Sequence, residues 1–158
     1  FTAPSTTEHF MLLLRRAHFL ASSGRRGIAH VASVDGVPAP GAFSRATIHG
    51  GLVYVSGTGA SDDDTGKALD GNSQRTAFDE TKGALANIEK ILHATGSATE
   101  SIVNAQMLLT SKDDYAECNR AYVEFFAERG LADKLPARSS ALWAVPTSAK
   151  VAFSVALN

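Results

Sequence analysis

Arg138 stands in the stretch Leu135-Pro136-Ala137-Arg138-Ser139-Ser140, and from Ala141 to Asn158 the only charged residue is Lys150. A charge at the mouth of an apolar run needs a partner, because burying it alone costs on the order of several kcal/mol. The planar guanidinium suits one task well: clamping a carboxylate or phosphate with two parallel hydrogen bonds. A structural ion pair, or an arginine snorkelling at a sheet edge, is the competing reading, and the residues alone leave both open. Ser140, two positions on, shares the strand face of Arg138.

Other chemistry is harder to build from this chain. The histidines are His9, His18, His30, His49 and His93, and none forms a ligand pair on one helical face with a third partner, so no metal site is expected. Cys118 is the sole cysteine, which excludes an internal disulfide and a cysteine-based zinc site and points to a reducing compartment. Asp62-Asp63-Asp64 reads as a solvated turn, since no EF-hand spacing follows. Gly57-Thr58-Gly59 has Asp62 where a dinucleotide fingerprint needs its third glycine, and no cofactor is expected.

The elements that must position Arg138 follow from periodicity. Ile28 to Val34 fits a first strand, and Phe43–Ile48 with Leu52–Ser56 fits a hairpin about His49-Gly50-Gly51. Phe78, Thr81, Leu85, Ile88 and Leu92 recur at helical spacing, with Gly96 placed to end the helix. A strand from Ser101 to Leu109 follows, and then a second helix with Asp114 as N-cap and Glu117 three residues later. Its apolar face is Tyr115, Cys118, Tyr122, Phe125 and Phe126. Closing strands over Arg138–Val145 and Lys150–Leu157 flank the turn Pro146-Thr147-Ser148. The order β-β-β-α-β-α-β-β implies an α+β domain, one sheet with both helices on one face.

At 158 residues, a hydrophobic share of 44% and a formal charge of -1, the chain is one ordinary soluble-type domain. The charge offers no basic excess of the kind nucleic-acid binding exploits, and no RNA-binding aromatic motif accompanies it. Residues 1–26 differ from the rest: no acidic residue lies between Glu8 and Asp35, while Arg15, Arg16, Arg25 and Arg26 stand among Leu, Phe, Ala and Ser. That is transit-peptide composition and favours a mitochondrial over a cytoplasmic location; a packed helix is the rival reading. The apolar run Phe10–Leu14 is too short to span a membrane. The expected division is therefore an extension over 1–26 and a domain over 27–158.

Blocks in this order resemble a known family. They are Gly41-Ala42-Phe43-Ser44, then Val53-Tyr54-Val55-Ser56-Gly57, then Ala86-Asn87-Ile88-Glu89-Lys90-Ile91-Leu92 with Gly96. Next come Tyr115-Ala116-Glu117-Cys118-Asn119-Arg120-Ala121-Tyr122 with Phe125-Phe126, and finally Pro136-Ala137-Arg138-Ser139. Together they are similar to the RidA/YjgF family of reactive imine/enamine deaminases, which also bears the older name L-PSP endoribonuclease. The resemblance runs from about residue 27 to the end. It implies a chorismate-mutase-like fold with a single mixed sheet, and homotrimers with ligand clefts between subunits.

The resemblance also implies a site. Arg138 falls on the family's carboxylate-binding arginine, and Asn119, Phe43, Ser56 and Ser140 fall on further substrate-binding positions. Phe43 stands where the family has tyrosine, Thr58 where it has glutamine, and Ser140 where cysteine is common. Ala152 stands where deaminase members carry a glutamate, and no Asp or Glu occurs after Asp133. The implied activity is hydrolysis of 2-aminoacrylate-type enamines and 2-imino acids to 2-oxo acids and ammonia, without a cofactor. The alternative is a trimeric small-molecule binder or regulator that does no chemistry. The older ribonuclease and translation-inhibitor reading is opposed by the charge balance.

Overall fold

In the computed structural model the described residues are 27–38, 41–61, 66–67, 69, 74–143 and 150–157. The extension 1–26, the Asp62–Asp64 loop and the Pro146-Thr147-Ser148 turn lie outside them. The strands are β1 (Ala29–Val31), β2 (Ala46–His49), β3 (Leu52–Thr58), β4 (Ile102–Leu109), β5 (Ala137–Leu142) and β6 (Val151–Leu157). The helices are α1 (Ala77–Ala94) and α2 (Tyr115–Ala127). All six strands form one sheet in the order β1-β2-β3-β6-β4-β5, antiparallel throughout except for the parallel pair β4–β5. The sheet is therefore mixed, as the resemblance implied. The connection from β4 through α2 to β5 is the crossover a parallel pair requires.

The β2–β3 hairpin closes on Gly50 and Gly51, both with positive φ (59° and 81°), between the paired residues His49 and Leu52. Two consecutive left-handed positions make a two-residue turn whose twist matches the strands, and glycine takes them without strain. At the end of α1 the Gly96 amide donates to His93 O (3.1 Å) and the Ser97 amide to Leu92 O (2.9 Å). This paired closure needs Gly96 at φ 78°, so the expected helix stop is where the sequence put it. At its start, Thr76 Oγ1 accepts the Asp79 amide at 3.1 Å.

α2 begins directly after Asp114, as expected, but without the expected cap bond. Asp114 has helical backbone angles and makes no side-chain cap bond. Ser111, in extended conformation, accepts the Asp113 amide at 3.2 Å and leads through a 3₁₀ turn into the helix. A side-chain cap needs the extended backbone that Ser111 has and Asp114 lacks.

Both helices cover one face of the sheet. Register pairs Ala105 with Val155, Met107 with Phe153 and Leu109 with Val151, and all six are buried against the helices. Leu85, Ile88 and Leu92 of α1 and Tyr122, Phe125 and Phe126 of α2 complete this core. Tyr122 stacks on Phe153 at 6.0 Å and lies 4.9 Å from Phe126, aromatic packing that fixes α2 over β6. Glu80, only 1% exposed, accepts the Lys150 amide at 2.6 Å and faces Lys150 Nζ at 3.6 Å, tying α1 to the start of β6. The helix-free face presents smaller or polar residues: Asn104, Gln106, Ala152, Ser154 and Ala156, with exposed Tyr54 beside Ala156.

Candidate functional site

Arg138 lies on β5, the outermost strand, opposite Ala105 of β4. Since Ala105 belongs to the helix-covered face, Arg138 extends under α2 and not into open solvent. There the helix supplies three supports at successive spacings of four and three residues, a single helical face. Tyr122 places its ring 4.5 Å from the guanidinium carbon. Asn119 Oδ1 accepts from Arg138 Nη2 at 2.7 Å, and the Tyr115 hydroxyl accepts from the same nitrogen at 3.4 Å. A cation over a ring at this distance contributes about 0.5–1 kcal/mol and ties the guanidinium to the phenol.

Among the described residues only Nη2 meets side-chain acceptors, Nε and Nη1 meet none, and no carboxylate pairs with Arg138. The described residues thus offer Arg138 no structural ion pair, and a guanidinium with donors to spare is the arrangement a carboxylate can engage. The Tyr122 hydroxyl is buried without a partner, and burial pushes its pKa up to about 12 against the lowering effect of Arg138. It is a platform that stays neutral, not an acid or base.

Beside this mount opens a depression of about 310 Å³ lined by Leu109, Lys112, Tyr115, Ser140, Ala141 and Leu142. Ser140 and Leu142 follow Arg138 at alternate positions of β5, so each step along that face is about 6.6 Å. Tyr115 belongs to both features: its phenol touches Arg138 and its ring walls the depression. The sequence reading put Tyr115 on the buried face of α2, yet it is 45% exposed. It stands in the first turn, where the helix overhangs the sheet edge, and Ala121 takes a place on the buried face instead.

Arg138, Asn119 and Ser140 are thus brought together by one chain. Phe43 and Ser56 are not. Ser56 lies on β3, separated from β5 by β6 and β4, which is three strand spacings or roughly 14 Å. Its hydroxyl donates to Ser44 O at 2.7 Å, fixing the loop that carries half-exposed Phe43. Thr58, where the resemblance implied glutamine, is buried and donates to Ser56 O at 2.8 Å. Ala152 is buried on the helix-free face, opposite Leu108, and so on the other side of the sheet from Arg138.

Sequence reasoning missed two things here. Tyr115 and Tyr122 appeared only as core, although their spacing from Asn119 was the available signal. Arg45 carried no motif, yet it is buried, donates through Nη2 to Pro38 O, leaves Nε without a partner, and has its pKa lowered by burial. Among the described residues no group of three His, Cys, Asp or Glu could hold a metal ion.

Comparison with known proteins places this geometry. Residues 35–151 match the family model described as Endoribonuclease L-PSP. The chain is 32% identical over 111 residues to the mitochondrial protein mmf2 of Schizosaccharomyces pombe, covering 70% of this chain and 79% of that one. It is 32% identical over 114 residues to the 2-iminobutanoate/2-iminopropanoate deaminase of Rattus norvegicus, covering 72% of this chain and 77% of the relative. Among solved structures, the Rid-family protein YyfA of Yersinia pestis superposes with a TM-score of 0.70 at 25% identity, covering 84% of this chain and 99% of the other.

Proposed function

The chain belongs to the endoribonuclease L-PSP family, the RidA/YjgF group, and from that premise we propose that it hydrolyses reactive 2-imino acids and their enamine tautomers to 2-oxo acids and ammonia. One observation carries the reading: the planar, partly unengaged guanidinium of Arg138 beside an open depression. Arg138 holds the substrate carboxylate through its free donors while Asn119 and Tyr122 hold Arg138. The iminium carbon then lies one bond from the anchored carboxylate, near Ser140. Water adds to that carbon, a proton passes from the new hydroxyl side to nitrogen, and the C–N bond breaks to leave the 2-oxo acid and ammonium.

The chain supplies orientation more than proton transfer. No Asp or Glu of the described residues touches Arg138, and the family's glutamate position is Ala152. General acid–base assistance is typically worth ~10² to 10⁴ in rate, so turnover here rests on positioning a labile substrate against water. The Ser140 hydroxyl is the nearest neutral donor and acceptor on the same strand face.

A homotrimer with clefts between copies fits the separation of Phe43 and Ser56 from Arg138 within one chain. In that assembly a neighbouring copy brings the Phe43 wall to the Arg138 side, and the helix-free sheet face with Tyr54 becomes buried. A mitochondrial location is supported by the acid-free, arginine-bearing residues 1–26 and by the name of the mmf2 relative.

Ala152 and Phe43 favour a second reading, a trimeric binder of 2-oxo or imino acids without turnover. Kinetics decide between the two. An amino acid oxidase or pyridoxal-phosphate enzyme generates the imine, and its loss is followed with wild type and with Arg138→Ala. Acceleration by wild type alone is the expected result. Absence of acceleration even with the protein in excess would sink the deaminase and leave the binder.

A further inference from the structure

Resting on the carboxylate-anchoring role of Arg138, we infer that the depression beside Tyr115 is the side-chain pocket of this site and selects substrates with bulky apolar side chains over the one-carbon side chain of 2-aminoacrylate. The argument begins with direction. Arg138, Ser140 and Leu142 occupy alternate positions on one face of β5, so a ligand anchored at the Arg138 guanidinium and directed along the strand meets Ser140 first and then Leu142. The depression begins where that path leads, since Ser140, Leu142 and the Arg138-contacting Tyr115 all line it.

Its chemistry is apolar. Leu109, Ala141, Leu142 and the Tyr115 ring form most of the lining, and Ser140 and Lys112 are the polar exceptions. Lys112 belongs to the exposed 3₁₀ turn that leads into α2. Leu142 is 64% exposed and Tyr115 45% exposed, so both present large apolar area. The volume of about 310 Å³ is at the lower end of small-molecule sites, which run from ~300 to ~1,000 Å³. A methyl or methylene group anchored at Arg138 stops short of this space. An isobutyl, thioether or benzyl group enters it.

Each methylene buried on binding is worth about a fourfold gain in affinity. Three additional carbons, partly exposed at the mouth, therefore give an expected preference of about 10- to 50-fold. The product 2-oxo acids are stable and carry the same carboxylate and side chain, so they serve as probes whether or not the protein turns over. Calorimetric titration of the full chain with pyruvate, 4-methyl-2-oxopentanoate, phenylpyruvate and 2-oxoglutarate reads the preference directly. Wild type is expected to bind 4-methyl-2-oxopentanoate at least about tenfold more tightly than pyruvate. Leu142→Ser, a change at an exposed edge position, is expected to narrow that ratio to below about threefold.

Equal affinity for the two ligands in wild type overturns the inference, as does a ratio untouched by Leu142→Ser. Tighter binding of 2-oxoglutarate than of 4-methyl-2-oxopentanoate overturns it too, because Lys112 and not the apolar lining would then govern selection. Failure of the deaminase reading shows up separately, as apolar preference in binding with no imine hydrolysis. Loss of every ligand in Arg138→Ala, with selectivity intact in wild type, supports the anchor and the pocket together.

Discussion

Replacing Arg138 by lysine keeps the charge and removes the geometry, which makes it the sharpest probe of the anchor. In the protein the guanidinium does three things at once. It lies 4.5 Å from the Tyr122 ring, donates to Asn119 at 2.7 Å, and leaves Nε and Nη1 without an acceptor among the described residues. An ammonium on a shorter, flexible stem cannot satisfy Asn119 and grip both carboxylate oxygens from one plane. One charge-assisted hydrogen bond to the ligand is then lost, about 1.5–3 kcal/mol. That corresponds to about 10- to 150-fold weaker binding. Titration calorimetry with 4-methyl-2-oxopentanoate measures it, with the melting temperature as the control. Loss of the stacking alone moves Tm by no more than about 2–4 °C. A Kd for Arg138→Lys within threefold of wild type, in a protein that melts normally, would refute the bidentate clamp and with it the assignment of Arg138.

Three further outcomes follow from the surroundings of that anchor. Asn119→Asp should place a carboxylate against Arg138, cutting 2-oxo acid affinity at pH 7 at least about tenfold in the same titration while Tm holds or rises. Tyr122→Phe should leave binding within about threefold and stability equal or up to about 1 kcal/mol higher in urea melts, because it deletes a buried hydroxyl that has no partner and keeps the ring. The Arg129 guanidinium grips Glu89 through Nε at 2.6 Å and Nη2 at 2.7 Å and holds its carboxyl below the usual range. A lowered folded pKa means stability present above the unfolded value of about 4.3 and lost as pH falls through the folded one. Glu89→Gln should thus cost about 1–2 kcal/mol at pH 7 in denaturant unfolding, and the gap should close below about pH 4.

What the sequence made legible was whatever rests on local physics. The Gly50-Gly51 turn, the Gly96 helix stop and the apolar period of α1 each follow from a residue's own conformational preferences, and each stands as read. The helix α2 starts after Asp114 as read, but its cap was misread, because whether Asp114 has the extended backbone a cap needs is decided by the turn leaving β4, which gives that conformation to Ser111. Arg138 was visible as a charge without a reason, but its supports were not, since Tyr115 and Tyr122 carry the same apolar spacing as core residues. A tyrosine on such a face becomes a site residue only when a cation from another element lands on it. Glu80 was hidden for a related reason, since its partner is the Lys150 amide 70 residues away, and Arg45 because its partner is the backbone carbonyl of Pro38, which no side-chain pattern announces.

The titration behaviour of the anchor offers the last test, because it separates holding from chemistry. A guanidinium stays charged across the accessible range. Its ring platform, Tyr122, stays protonated up to about 12, and its amide partner, Asn119, does not titrate. No carboxylate of the described residues touches it. The affinity for a 2-oxo acid, itself ionised above about pH 4, should therefore be flat within about threefold between pH 5.5 and 8.5. A catalytic glutamate beside the ligand would behave otherwise: its negative charge would repel the ligand carboxylate once ionised, and affinity would climb as pH fell toward its pKa. Calorimetry at pH 5.5, 7 and 8.5 distinguishes the two. A tenfold rise toward low pH would mean that an acidic group from a neighbouring copy completes the cleft and stands in for the one absent at Ala152. A flat profile together with measurable imine hydrolysis would mean that an oriented carboxylate, a labile C=N bond and water are sufficient, and any pH dependence of kcat/KM would then belong to the imine.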